Sequence, residues 1–127
     1  MVYPKRQSIF LNFKNRPMNH LNFKICITAC LEAALAAKNC ATQCRDEPQR
    51  KMLEHCIKLD DSCVQTCFFT MEAMTYENEF VTQIAKLCAY ACNACAEECE
   101  KHSHDHCQKC AEACRKCAIE CEKISRI

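Results

Sequence analysis

Small apolar residues recur along this chain in alternating steps of three and four. In the last stretch the beats fall at Cys107, Cys110, Cys114, Cys117 and Cys121, and before it at Cys88, Cys92, Cys95 and Cys99. The first stretch runs Cys26, Cys30, Ala33, Ala37, Cys40, Cys44, and the second runs Cys56, Asp60, Cys63, Cys67. This is the period of helices that bury one face in a bundle. It predicts helices over residues 19–45, 48–74, 76–101 and from the 102–105 turn to 125. Pro48 suits the first turn of the second helix, and Thr75 reads as an N-cap or turn residue before the third. Four helices joined by short turns predict an all-α, antiparallel up-down-up-down four-helix bundle with a cysteine-lined core. The bundle occupies residues 18–127, preceded by an irregular arm over residues 1–17.

Composition narrows the picture. The 127 residues contain no Gly, which removes the easiest route to left-handed turns and tight hairpins and argues against a β-rich fold. Cysteine supplies 16 residues, more than the roughly 8–10% that marks a cysteine-specialised chain. The formal net charge is only +1, with acids and bases interspersed. That argues against a nucleic-acid or membrane-surface partner recruited by charge. No apolar run comes near the ~20 residues of a membrane span. The N-terminal MVYPKRQSIFLNFKNRPMN has no h-region, cleavage site or twin arginine. A cytoplasmic location follows as the expectation. In that reducing compartment, dense cysteine signals metal or redox chemistry rather than structural disulfides.

Extending each stripe past its thiols separates the two bundle ends. One end collects Phe23, Met74, Val81, Ala85 and Ile124 and reads as an apolar closure. The other collects Cys44, Leu53, Cys56, Cys99, His102, His104 and Cys107 and reads as a polar mouth. Seven CxxxC pairs line the stripes: Cys26/Cys30, Cys40/Cys44, Cys63/Cys67, Cys88/Cys92, Cys95/Cys99, Cys110/Cys114 and Cys117/Cys121. Residues four apart on a helix have Cβ atoms about 5–6 Å apart, whereas a disulfide wants about 3.5–4.5 Å. Such a pair is a poor disulfide and a good clamp for one soft ion. Thiolates select Cu(I), and several ions per chain would offset the charge of many thiolates. Structural Zn(II) wants closed fours, and a continuous stripe of pairs does not segregate into them.

All sixteen cysteines are therefore candidate ligands, with Cys56 and Cys107 joining the pairs. His102, His104 and His106 are candidate ligands or an entry relay, with a plain solvated turn as the alternative; His55, beside Cys56, is a possible fourth member. Met18, His20 and Met71 read as surface or closure residues. Glu97, Glu98, Glu120 and Glu122 read as a solvated outer face. Asp60 is either a hydrogen-bonding group inside the stripe or a packing defect. No nucleophile–base constellation is present, so the chain does not read as an enzyme.

The segments CIKLDDSC, CAYACNACAEECEKH and HCQKCAEACRKCAIEC resemble the bacterial four-helix-bundle copper storage proteins over residues 19–125. The resemblance implies storage of many Cu(I) ions inside the bundle through CxxxC thiolates. It also implies a homo-oligomer, a tetramer, and absence of a twin-arginine signal points to the cytosolic branch. Ala33 and Ala37 depart from the pattern at positions where such proteins can carry cysteine. Two rival readings remain. Cys30/Cys40 and Cys107/Cys117 have the spacing of disulfide-stapled helical hairpins, and a thiol-rich bundle could buffer Zn(II) or Cd(II). A redox enzyme ranks last, since no CxxC opens a helix after a strand.

Overall fold

The computed structural model describes residues 19–127. The arm over residues 1–17 and Met18 lie outside the described residues. The order is α1 (Asn19–Asp46), a 3₁₀ turn (Arg50–Leu53), α2 (Glu54–Thr75), α3 (Val81–Cys99) and α4 (Asp105–Ser125), with no strand among the described residues. α1 packs on α2 and α4, and α3 packs on the same two helices, which closes a four-membered ring. Sulfur contacts fix the directions. Cys26 meets Cys121 while Cys44 meets Cys107, so α1 and α4 run antiparallel. Cys67 meets Cys88 while Cys56 meets Cys99, so α2 and α3 do too.

Two boundaries differ from the sequence pattern. Pro48 does not open an α-helix: the chain first turns through the 3₁₀ segment, and Leu53 there is buried. The third helix starts at Val81, not Tyr76, and Thr75 is the last residue of α2, its hydroxyl donating to the Met71 carbonyl at 2.8 Å. The reason lies in how α2 ends. The Asn78 N–H donates to the Ala73 carbonyl at 2.8 Å and the Glu77 N–H to that of Met74 at 3.3 Å. This nested pair caps the last carbonyls as a Schellman motif, which requires one left-handed residue. Glu77 takes that role at φ 50°. In a chain without Gly the stop signal is invisible. Asn78 then turns the chain, its side-chain oxygen accepting from the Phe80 N–H at 2.7 Å.

The core is made of small side chains. All sixteen cysteines are completely buried, together with Ala33, Ala37, Ala41, Ala85 and Ala96. The end formed by Phe23, Met74, Val81, Ala85 and Ile124 is buried and apolar, as the stripes predict. By length and composition α1 is apolar enough to cross a bilayer, with a mean hydropathy of 1.3 over its best window. That corrects the expectation drawn from uninterrupted runs alone. In the fold, its apolar stripe from Cys26 to Cys44 is the wall of the core.

Candidate metal centre

Each helix delivers its thiols to the bundle axis because its stripe repeats every three to four residues, and the Cβ atoms of such positions share one face. The sulfurs form one connected array. From the apolar end, Cys26 lies 3.5 Å from Cys121, and Cys30 lies 3.6 Å from Cys117. Cys67 is 3.9 Å from Cys88 and 3.7 Å from Cys92. In the middle, Cys63 is 3.5 Å from Cys114 and 3.8 Å from Cys92, and Cys110 is 3.9 Å from both Cys114 and Cys95. Every sulfur is a free thiol. The shortest of these contacts, 3.5 Å, is far beyond the ~2.05 Å of a disulfide bond.

Several groups converge tightly enough to share an ion. Cys30, Cys67, Cys88 and Cys117 bring one sulfur from each helix within 4.8 Å of one another. Cys40 and Cys44 of α1, Cys56 of α2 and Cys107 of α4 form a second four at the opposite end, and Cys26/Cys30/Cys121 and Cys63/Cys95/Cys114 form threes. The stripes thus do gather into fours and threes across helices, contrary to the expectation from spacing alone. The reason is that neighbouring stripes interleave in the ring, which spacing within one helix cannot reveal.

Asp60 is fully buried inside this array. Its Oδ1 accepts from the thiols of Cys95 at 3.2 Å, Cys110 at 3.4 Å and Cys99 at 3.5 Å, and Cys56 reaches Oδ2 at 3.9 Å. It is a hydrogen-bonding hub, not a packing defect, and with Cys40, Cys99 and Cys110 it forms a further four-membered group. Burial, and then the neighbouring Cys110, push its carboxyl up to about 7. Burial likewise pushes the Cys107 thiol up to about 12 and raises that of Cys44. These two thiols are protonated at neutral pH in the metal-free chain, and an ion that binds them must displace protons.

The histidines divide into two sets. His106 is buried, with Nδ1 3.7 Å from the Cys44 sulfur and 3.6 Å from that of Cys107. Its Nε2 lies 3.1 Å from Glu47. His104 stacks on His106 with ring centroids 5.2 Å apart and lies 3.6 Å from the same carboxylate. The Nδ1 of His104 is buried with no hydrogen-bond partner among the described residues. His102 turns instead to Glu98, at 2.9 Å, and the exposed His55 reaches Glu98 at 3.3 Å. Glu98 is therefore not part of a solvated face, as the sequence suggested. It is buried, and Lys101 completes its partners at 3.2 Å. Burial pushes its carboxyl up, but the hydrogen bonds from His102 and Lys101 outweigh that and hold it below its ordinary value.

Sequence reasoning missed Glu47 and Glu98. Glu47 sits in the break between helices, and Glu98 follows another glutamate on the flank of a cysteine stripe. A carboxylate one step off a buried stripe, near a cluster of histidines, was the available signal.

The bundle matches known proteins in sequence and in fold. The copper storage protein family model matches residues 19–126. The Cu(I)-bound Bacillus subtilis copper storage protein BsCsp3 is 40% identical, with a TM-score of 0.79, covering 82% of this chain and 98% of its own. A cytosolic copper storage protein from Streptomyces lividans, solved during copper loading, is 34% identical, with a TM-score of 0.80, covering 84% and 93%. A cysteine-rich Bacillus subtilis protein of uncharacterised role, YhjQ, is 42% identical over 83 residues, 65% of this chain and 77% of its own length. With a family match over nearly the whole described bundle, the chain belongs to the copper storage protein family.

Proposed function

We propose that this protein stores Cu(I) in the cytosol, holding many ions per chain inside the bundle, and that it catalyses no reaction. The observation that carries this reading is the connected array of sixteen buried thiols, drawn from all four helices and closed at one end by apolar residues. Soft thiolates favour Cu(I) over harder ions, and the close sulfur spacing allows one thiolate to serve two ions. The ligands are Cys26, Cys30, Cys40, Cys44, Cys56, Cys63, Cys67, Cys88, Cys92, Cys95, Cys99, Cys107, Cys110, Cys114, Cys117 and Cys121. Asp60 adds an oxygen donor within this set.

Copper enters at the end that carries His102, His104 and His106. His106 touches the outermost sulfurs directly and passes ions to them, and His104 supports it from the outer side. Loading releases protons from the thiols, and those protons leave by the same polar end. The bundle assembles as a homo-oligomer; Leu21 and Ile119, both more than half exposed on α1 and α4, support a further apolar contact there.

Anaerobic Cu(I) titration of the reduced chain against a competing chelator tests this. Tight uptake of more than about ten ions per chain supports storage, whereas saturation near four favours tetrahedral sites. Alkylation that found nearly all thiols oxidised in cells would sink the reading. A His102/His104/His106 triple alanine variant loads more slowly at unchanged capacity; an unchanged rate removes the entry role.

A further inference from the structure

The outermost ligands have a geometry that two-coordinate copper does not require. Cys40, Cys44 and Cys107 form a nearly equilateral sulfur triangle with edges of 3.8, 3.7 and 3.8 Å. Tetrahedral zinc with Zn–S bonds of about 2.3 Å has S···S edges of roughly 3.8 Å. The Nδ1 of His106 stands off two corners of that triangle by 3.7 and 3.6 Å. A Zn–N bond of about 2.0–2.1 Å places S···N at roughly 3.6 Å. Behind the ring, Glu47 faces Nε2 at 3.1 Å. A carboxylate on the far nitrogen fixes the tautomer that leaves Nδ1 free to bind, an arrangement typical of zinc-ligating histidine.

We infer that this end of the bundle holds one divalent d10 ion of the Zn(II) class, in a Cys₃His site made by Cys40, Cys44, Cys107 and His106, with Glu47 as its positioning residue. Binding forms three metal–sulfur bonds and one metal–nitrogen bond and releases three protons, one from each thiol. The resulting centre carries one net negative charge. The inner four, Cys30, Cys67, Cys88 and Cys117, would carry two, deeper in the core, where unbalanced charge costs more. Cys56 lies within 4.8 Å of all three sulfurs and is the rival fourth ligand, with Cys99 also 3.5 Å from it; the carboxylate behind His106 favours the histidine. The copper reading draws on the same four groups, so this ion occupies them in the copper-free chain, and the Co(II) test on metal-free protein reads it separately from copper capacity.

Co(II) is the probe, since four-coordinate Co(II)–thiolate absorbs strongly in the visible and Co(II) occupies zinc sites. The reduced, metal-free full-length chain is titrated anaerobically, then challenged with Zn(II). The expected result is a four-coordinate spectrum that saturates at one Co(II) and is bleached by Zn(II). Cys107→Ser, or Cys44→Ser if the first variant loses helicity, weakens binding by at least about tenfold, and Glu47→Gln by about tenfold. His106→Ala shifts the spectrum, while Glu112→Gln, on the exposed outer face of α4, leaves affinity and spectrum unchanged. Absence of four-coordinate bands overturns the inference. So does loss of the bands in Cys67→Ser with retention in Cys107→Ser. Loss in Cys56→Ser with an unaltered His106→Ala spectrum overturns the role of the histidine.

Discussion

Replacing Asp60 with Asn should stabilise the metal-free protein, and only at neutral and alkaline pH. Asp60 has no exposure to water and accepts three thiol contacts at one oxygen. Its carboxyl is raised from 3.8 to about 7, chiefly by burial. The sign follows from linkage: a raised carboxylate favours the protonated form in the fold. Below the unfolded value the group costs nothing. As pH climbs from about 4 to about 7 the unfolded chain ionises and the folded one resists, so stability falls throughout that window. The difference of about three in pKa is worth up to about 4 kcal/mol at pH 8, at 1.36 kcal/mol for each. Asn keeps the acceptor oxygen and the shape but cannot ionise. Thermal unfolding of reduced apo protein, followed by circular dichroism, should show a midpoint higher by on the order of 10 °C at pH 8. At pH 4 the two proteins should nearly coincide. An equal gain at both pH values would mean that packing, not charge burial, separates them. No gain at pH 8 would mean that the thiols solvate the carboxylate well enough to cancel its burial.

Three further outcomes follow from other residues. Glu77→Gly should raise unfolding stability by about 1 kcal/mol in urea titrations, since Gly takes the left-handed cap without the Cβ clash; destabilisation would mean that the Glu77 side chain contributes more than its backbone costs. An Ala33→Cys/Ala37→Cys double variant places two thiols at fully buried positions facing the array, and competitive Cu(I) titration should find about one or two more ions per chain. Glu98→Gln should cost on the order of 1 kcal/mol at pH 7, because it weakens the hydrogen bond with the part-buried His102, while His55 and Lys101 are largely exposed and add little. Glu98 is held below its ordinary value, so that cost should vanish as pH falls through the carboxylate range, a trend that melts at pH 7 and pH 3 can check.

The helical class, the ring of stripes and the burial of every cysteine were legible because one signal, the three-four repeat, governs all of them. Polarity along those stripes also told the apolar end from the histidine end. Three things were not legible. The start of α3 was hidden because the stop signal of α2 is a left-handed Glu77 rather than a Gly. The grouping of sulfurs into threes and fours depends on how four stripes interleave, which no single stripe encodes. Asp60 stayed ambiguous because a lone acid on an apolar face has the same pattern whether it is a hub or a flaw; only the three thiols around it decide. Glu47 and Glu98 were passed over for a related reason, since glutamates beside a turn or on a helix flank are ordinarily solvated.

The burial of all sixteen thiols on four interlocked stripes ties inventory to lifetime. Under the copper reading, no helix of a filled bundle can peel away without stripping ions from its neighbours, so each ion taken up favours the folded chain by mass action. A full protein should then resist proteases that act on transiently opened chains, while an emptied one, held together mainly by Cys and Ala contacts, should open more often. Turnover would fall selectively on depleted molecules, and the cell's pool would enrich in loaded ones without any dedicated sensor.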